Sequence, residues 1–289
     1  MSQQSFGGVH RTRYPAGIVI TNALKYCILV FFAFWTLIPL VSCLITAFKT
    51  DAEYQSTSVM MLPTVIYIQN FAKAFSSAHM GRAFRNSAIV LLFVLALSIT
   101  ISAQLAYVLN RFKFRGNTLI RNLFLFATLL PGVAMQVSVY KIMGTLGFIN
   151  HLYGYIIMMC GTDVITIYIF IQFMENIPTS LDESGIMDGA NYFTIFWRIV
   201  LPLLKPAIVT SMILKGVGCY NEYYSANLYL QSEKLRTVAI SLYTFTGPMG
   251  SRYNLICAGV IISLIPALIV FLLCQKQIYT GITAGAVKG

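Results

Sequence analysis

Four stretches of this chain contain no Asp, Glu, Lys or Arg: Cys27–Phe48, Asn86–Asn110, Asn122–Tyr140 and Tyr253–Gln275. Each is close to the roughly 20 residues that a helix needs to cross a bilayer. In hydrocarbon every backbone N–H and C=O must find its partner inside the protein, and a long apolar run does so by coiling into a helix. Composition agrees: 57% of residues are hydrophobic and 10% are charged, against about 25% charged in a soluble domain. The chain is expected to be an all-α integral membrane protein.

Two more apolar stretches are interrupted by ionisable side chains: Asp163 in one, Lys215 and Glu222 in the other. Counting them gives six transmembrane helices, at about Leu24–Phe48, Ser87–Leu109, Ile120–Met143, Leu152–Met174, Pro206–Tyr229 and Tyr253–Gln275. The transmembrane domain is then 22–276, between a polar tail over 1–21 and a short tail over 277–289. Pro39 predicts a kink, and Pro131-Gly132 a break, in spans whose freed carbonyls neighbouring helices must cover. In the external segment before the second span, Phe71, Ala74, Phe75 and Ala78 predict a short amphipathic helix.

The net charge of +11 does not point to nucleic acid. Basic residues flank the spans on one side, most densely at Arg111, Lys113 and Arg115, with Arg121 just after, and this marks that turn as cytoplasmic. Both termini then lie inside, and the N-terminal tail is expected to be retained there. The six cysteines form no Cys-x-x-Cys pair and read as small apolar fillers. His10, His79 and His151 are scattered, no Ser/His/Asp set or metal-ligand spacing stands out, and no Gly-Lys dipeptide exists to build a Walker A loop. The chain is expected to catalyse nothing itself and to hold no metal or cofactor.

One stretch between the fourth and fifth spans, 178–206, is neither apolar enough to cross a membrane nor polar enough to be a linker. Pro178 stops the preceding helix. Ser180 and Glu183 have the spacing of a capping box, and Gly189 after Asp188 reads as a helix stop. Asn191 is positioned to cap a second helix. Phe193, Phe196, Trp197 and Val200 predict its apolar face, with Pro202 and Pro206 closing the unit. The expectation is two short helices joined at Asp188-Gly189 and lying flat beside the membrane.

The run Glu183-Ser184-Gly185-x-x-Asp188-Gly189-Ala190, followed by Phe196, Arg198-Ile199 and Leu201-Pro202, resembles the EAA loop of ABC-importer permeases. The usual pair of alanines is Ser184 and Gly185 here. Both are small, and Gly185 weakens the helix by about 1 kcal/mol relative to Ala. The resemblance implies the type I ABC importer permease fold, with a cytoplasmic coupling helix that docks on a separate ATPase. It implies Glu183, Ser184, Gly185, Asp188, Gly189, Ala190 and Arg198 as the coupling residues. It also implies a second homologous permease, two ATPase subunits that hold ATP and magnesium, and an extracellular or periplasmic substrate-binding protein. The setting would be a bacterial inner membrane.

Three further stretches are similar to the carbohydrate-importing members. One is Leu62-Pro63-Thr64 with Asn70-Phe71, Phe75 and Asn86-Ser87; a second is Ala106-Tyr107 with Arg111-Phe112-x-Phe114-x-Gly116. The third is the tail from Gly281 to Gly289, which is similar to the C-terminus of the maltose-transporter-like second permease. There the tail reaches into the ATPase, which implies that role for Thr283, Ala284, Gly285 and Lys288. Taken without the resemblance, a small-residue tail reads as a disordered end. The cargo implied is a sugar or oligosaccharide.

The polar residues inside the spans form the candidate substrate path. Asp163 follows Gly161-Thr162 and reads either as a functional carboxylate at bilayer depth or as the cap of a half-helix. Tyr220-Asn221-Glu222-Tyr223 fits the aromatic-Asn-acid-aromatic cluster of the family, whereas Lys215 lies outside that pattern. Lys215 is expected to pair with Glu222 or Asp163. An importer permease for another small solute remains open, as does an ion-coupled transporter that uses Asp163, Lys215 and Glu222 as a relay.

Overall fold

The computed structural model describes residues 16–161, 163–247 and 250–286, with side chains from 21 to 275. Among the described residues every regular element is helical. Three helices are long and apolar enough to cross a membrane: α1 (Ala16–Ala47), α4 (Met80–Arg111) and α15 (Tyr253–Ala286). Three bent pairs bring the number of candidate spans to six if each is one span. They are α5 (Asn117–Thr128) with α6 (Gly132–Thr145), α7 (Leu152–Met159) with α8 (Val164–Met174), and Tyr192–Leu203 with α12 (Lys205–Asn221).

The breaks fall where the sequence weakens a helix. Pro131 separates α5 from α6, and the two meet at 103°, far more than the kink a proline alone predicts. Gly161 and Asp163 separate α7 from α8. The fifth span also differs from expectation. It stops at Asn221, and after a gap at Glu222-Tyr223 a separate short helix, α13 (Tyr224–Tyr229), follows. Lys215 and Glu222 therefore do not share one continuous helix.

The helix ends also move. α1 begins at Ala16, inside the stretch read as a polar tail. α4 begins at Met80, above the expected membrane boundary, and α15 continues through Ala286 where a loose tail was expected. A helix in its favoured geometry keeps propagating until something stops it, and neither 16–21 nor 277–286 contains a proline.

The predicted external helix is present as α3 (Gln69–Ser77). Its buried positions are Asn70 and Ala74, whereas Phe75 is exposed. A helix the sequence did not announce, α2 (Asp51–Ser56), precedes it, with Thr50 capping the Glu53 amide at 3.2 Å. Asn70 holds the corner together: its Nδ2 donates to the carbonyls of Ala47 and Lys49, both at 2.8 Å. Asn254, at the start of α15, donates to Asp51 Oδ1 at 2.7 Å.

α4 is the central element and packs against α3, α7, α8 and α12. Its C-terminal half, from Ile99 to Leu109, shares an apolar cluster with Ile167, Phe170 and Met174 of α8 and with Ile195, Phe196 and Val200 beyond it. Its N-terminal half packs Val90 and Val94 against Tyr155, Cys219 and Tyr229. α1 lies against α15, and its side chains from Leu24 to Leu40 stay largely exposed, as a lipid-facing or subunit-facing helix requires.

Candidate functional site

The loop between α8 and α12 forms the two-helix unit predicted for it. α9 (Ser180–Met187) is followed by α10 (Tyr192–Ile195), a π-helical turn over Phe196–Val200, and α11 (Leu201–Leu203). The turn between the helices is closed as a Schellman motif. Gly189 has φ +82°, its amide donates to Ile186 O at 2.9 Å, and the Ala190 amide donates to Gly185 O at 2.9 Å. Asn191 caps α10 as expected, with Oδ1 accepting from the Thr194 amide at 2.8 Å.

The capping box is not formed. An N-cap residue needs extended backbone, but Thr179 already has helical angles, φ −66° and ψ −22°. The first amides are taken instead by the carbonyls of Pro178 and Thr179, and Ser180 lies inside the helix, where its carbonyl accepts from Ser184 Oγ at 2.8 Å. The predicted apolar face is also corrected. Phe193 is 69% exposed, while Ile195, Phe196, Val200 and Leu204 are buried. The π-turn widens the helix, with the Leu201 amide donating to Phe196 O five residues back, so the buried stripe shifts from the ordinary 3.6-residue register.

Of the residues that the resemblance marked for coupling, Glu183, Ser184, Asp188, Gly189 and Arg198 are exposed. Gly185 faces inward: a Cβ there would lie 3.0 Å from Ile195 Cγ1. Its small size is what lets α9 press on the second helix. Ala190 is half-buried against the same cluster. Around the exposed turn, Ile186, Met187, Tyr192 and Phe193 present apolar side chains to the outside, with Met187 87% exposed. An exposed apolar patch rimmed by charged residues is the kind of surface that protein or membrane contacts use.

Asp182, which the sequence did not single out, anchors this unit. Its Oδ2 lies 2.9 Å from Nε of Arg111, the last residue of α4, and both side chains are buried, at 10% and 7% exposure. Arg111 also donates through Nη2 to Ile177 O at 2.9 Å. Burial raises the Asp182 carboxyl above its ordinary range, and the Arg111 charge pulls in the opposite direction. The charge pattern by itself makes Arg111 a topology anchor. The signal that it is more was its place ahead of the Phe-x-Phe-x-Gly turn. There Gly116 adopts φ +97°, and Asn117 Nδ2 donates back to the carbonyls of Leu109 and Phe112, at 3.0 and 2.8 Å.

Inside the membrane, the structure joins two of the candidate path residues and separates the rest. Lys215 Nζ lies 3.7 Å from Asp163 Oδ2. Asp163 is also the N-cap of α8, accepting from the Thr166 amide at 3.4 Å and from Thr166 Oγ1 at 3.0 Å. Asp163 thus caps its half-helix and pairs with Lys215. Glu222 instead accepts from the Ser225 amide at 2.8 Å at the start of α13. Tyr220 Oη donates to Ser263 O of α15 at 2.7 Å, and Asn221 Nδ2 donates to Val217 O of its own helix at 3.1 Å. Tyr223 stacks on Tyr243, with ring centroids 3.8 Å apart. Thr283, Ala284 and Gly285 lie within the helical backbone of α15, where side chains are not described, and Lys288 lies outside the described residues, as does Thr162.

Comparison with known proteins agrees with this arrangement. The family described as the binding-protein-dependent transport system inner membrane component matches residues 98–282. The probable starch degradation products transport system permease protein AmyC of Thermoanaerobacterium thermosulfurigenes is 30% identical over 251 residues, which cover 86% of this chain and 91% of that one. The melibiose/raffinose/stachyose import permease protein MelC of Bacillus subtilis is 30% identical over 254 residues, 87% of this chain and 91% of that one. The trehalose/maltose transport system permease protein MalG of Thermococcus litoralis is 28% identical over 257 residues, 88% of this chain and 92% of that one. Among solved structures, a chain of a bacterial ABC transporter involved in the import of the acidic polysaccharide alginate superposes with a TM-score of 0.80 at 22% identity, covering 91% of this chain and 98% of that chain. The fold is therefore the type I ABC importer permease fold. The matched residues run from the C-terminal half of α4 through the two-helix unit and into α15, and the chain belongs to the family of inner membrane components of binding-protein-dependent transport systems.

Proposed function

We propose that this chain moves sugars or oligosaccharides inward as one of two permeases that enclose a shared path, with a separate ATPase docked on the α9–α10 unit. The observation that carries the reading is the geometry of that unit. A short helix is held between Pro178 and a Schellman turn, with an apolar patch and the charged residues Glu183, Asp188 and Arg198 on its outer side. A short rigid element of this kind transmits displacement where a loose linker would absorb it. The names of the relatives, which are starch products, melibiose and maltose permeases, support a saccharide cargo.

In this reading two ATPase subunits hold ATP and magnesium and close on binding nucleotide, and this chain contributes no catalytic group. An external binding protein delivers the sugar. ATP shifts the equilibrium because it binds the closed ATPase pair better than the open one. The coupling unit and both termini face the cytoplasm, and the tail from Thr283 to Lys288 reaches the ATPase.

The test is affinity purification of the tagged chain in mild detergent, followed by transport of labelled maltotriose, raffinose and arabinotriose in proteoliposomes. Co-purification of a second permease and a Walker-containing ATPase, with ATP-dependent uptake of one of these sugars, is the expected result. A chain that purifies without an ATPase overturns the importer assembly, and ATP-dependent uptake of a non-sugar solute overturns the cargo.

A further inference from the structure

The covalent routes out of the docking helix are poorly suited to carry force. Downstream, α9 leads into the Gly189 turn, where the backbone adopts φ +82°, and then through the 76° bend between Tyr192–Leu203 and α12. Upstream, a non-helical segment over 175–179 that contains Pro178 separates it from α8. A direct lateral connection exists instead. Asp182 of α9 and Arg111 of α4 form a buried ion pair at 2.9 Å, and the same guanidinium holds the Ile177 carbonyl ahead of α9. Two charges removed from water are retained only with close partners, and each here has the other.

Tyr107 lies one turn before Arg111, on the same face of α4 by its i, i+4 spacing, and its charge environment includes Asp182. Its ring packs on Phe196 of the π-turn at 5.3 Å and on Phe112 at 6.0 Å. The Tyr107 hydroxyl and Asp182 Oδ1 are both buried and unpartnered in this conformation. One can donate a hydrogen bond and the other can accept one.

We propose that Arg111, Asp182 and Tyr107 are positioning residues that tie the docking helix to α4, so that displacement of α9 is delivered directly to the central span. This rests on the reading of the α9–α10 unit as the ATPase-docking element. α4 then distributes the movement, because its C-terminal half packs on α8 and its N-terminal half on α7 and α12. The tie makes α9 and the last turns of α4 respond to nucleotide as one body.

Amide hydrogen exchange on the complete transporter in nanodiscs, with and without ATP plus vanadate, tests this. In the native complex, nucleotide changes the exchange of peptides over 180–187 and over 103–112 together. In the double variant Arg111→Met/Asp182→Leu, which replaces the pair by apolar groups of similar size, the response over 103–112 falls at least about fivefold while that over 180–187 persists. If the double variant does not assemble, Arg111→Lys, which keeps the charge but loses the bond to Ile177 O, shows the same loss at smaller amplitude. An unchanged response over 103–112 in either variant overturns the inference, as does a native complex in which only 180–187 responds. A native complex in which nucleotide alters neither segment removes the docking reading itself.

Discussion

Glu222 occupies the gap between α12 and α13, and its carboxylate accepts from the Ser225 amide at 2.8 Å. An acid in a membrane segment is first read as a functional group. Here it has a local duty as well, because a helix start leaves amides unpaired and a side-chain oxygen satisfies one of them. The two duties separate by substitution. Glu222→Gln keeps an acceptor oxygen and removes the charge, whereas Glu222→Ala removes both. The capping role predicts that Ala lowers the thermal stability of the purified chain by about 1 kcal/mol while Gln leaves it nearly unchanged. A Gln variant as destabilised as the Ala variant shows that the charge matters to the fold. The relay reading needs Asp163, Lys215 and Glu222 to exchange protons, yet Lys215 is engaged with Asp163, and Glu222 with a backbone amide.

At the scale of the element, the α9–α10 unit shows what its glycines do. Gly185 and Gly189 are four apart in sequence but serve opposite needs. Gly185 has ordinary helical backbone and is small because Ile195 lies against it; Gly189 is small because its backbone is left-handed. Gly189→Ala places a Cβ in a left-handed residue, at a cost of about 1–2 kcal/mol, and nothing lies within 4 Å of that Cβ, so the fold tolerates it. Gly189→Pro also removes the amide that donates to Ile186 O and cannot adopt the positive φ. The expected order is transport per ATP hydrolysed near native for Ala and strongly reduced for Pro, measured in proteoliposomes. Equal loss in both variants means that the turn needs more than its backbone shape.

The whole molecule hangs on α4, with α1 applied to α15 at one edge. The exposed apolar side chains of α1, α5 and α6 lie outside the three buried clusters and are left to lipid or to another subunit. Orientation is a prediction at this scale. A cysteine introduced at Met187, which is 87% exposed, should react with a membrane-impermeant maleimide only in inside-out vesicles. One at Lys234, between α13 and the short helix Val238–Ser241, should react only in right-side-out cells. The opposite pattern inverts the topology and removes the docking surface from any cytoplasmic ATPase.

The spans, the helix breaks at Pro131 and Gly161, the Asn191 cap and the Gly189 stop were all legible in the sequence. Each depends on hydrophobicity or on backbone geometry within a few residues, and such terms act before any tertiary contact forms. The capping box, the apolar face through Phe193 and the unbroken fifth span were misread because local patterns were assumed to extend regularly. Packing against α4 and α8 chose Ile195 over Phe193 through a π-turn that no simple period announces. Pairs distant in sequence were beyond reach in the same way. Arg111 with Asp182, Lys215 with Asp163, and Asn254 with Asp51 meet only when helices are laid side by side. The sequence by itself determined that the chain enters a membrane as helices and carries a helical loop beside it, because a long apolar run in hydrocarbon pairs its polar backbone groups within itself by coiling into a helix. Only the tertiary structure decided which buried charges answer each other, since a charge in a low-dielectric interior is held by whichever partner the packing brings within reach.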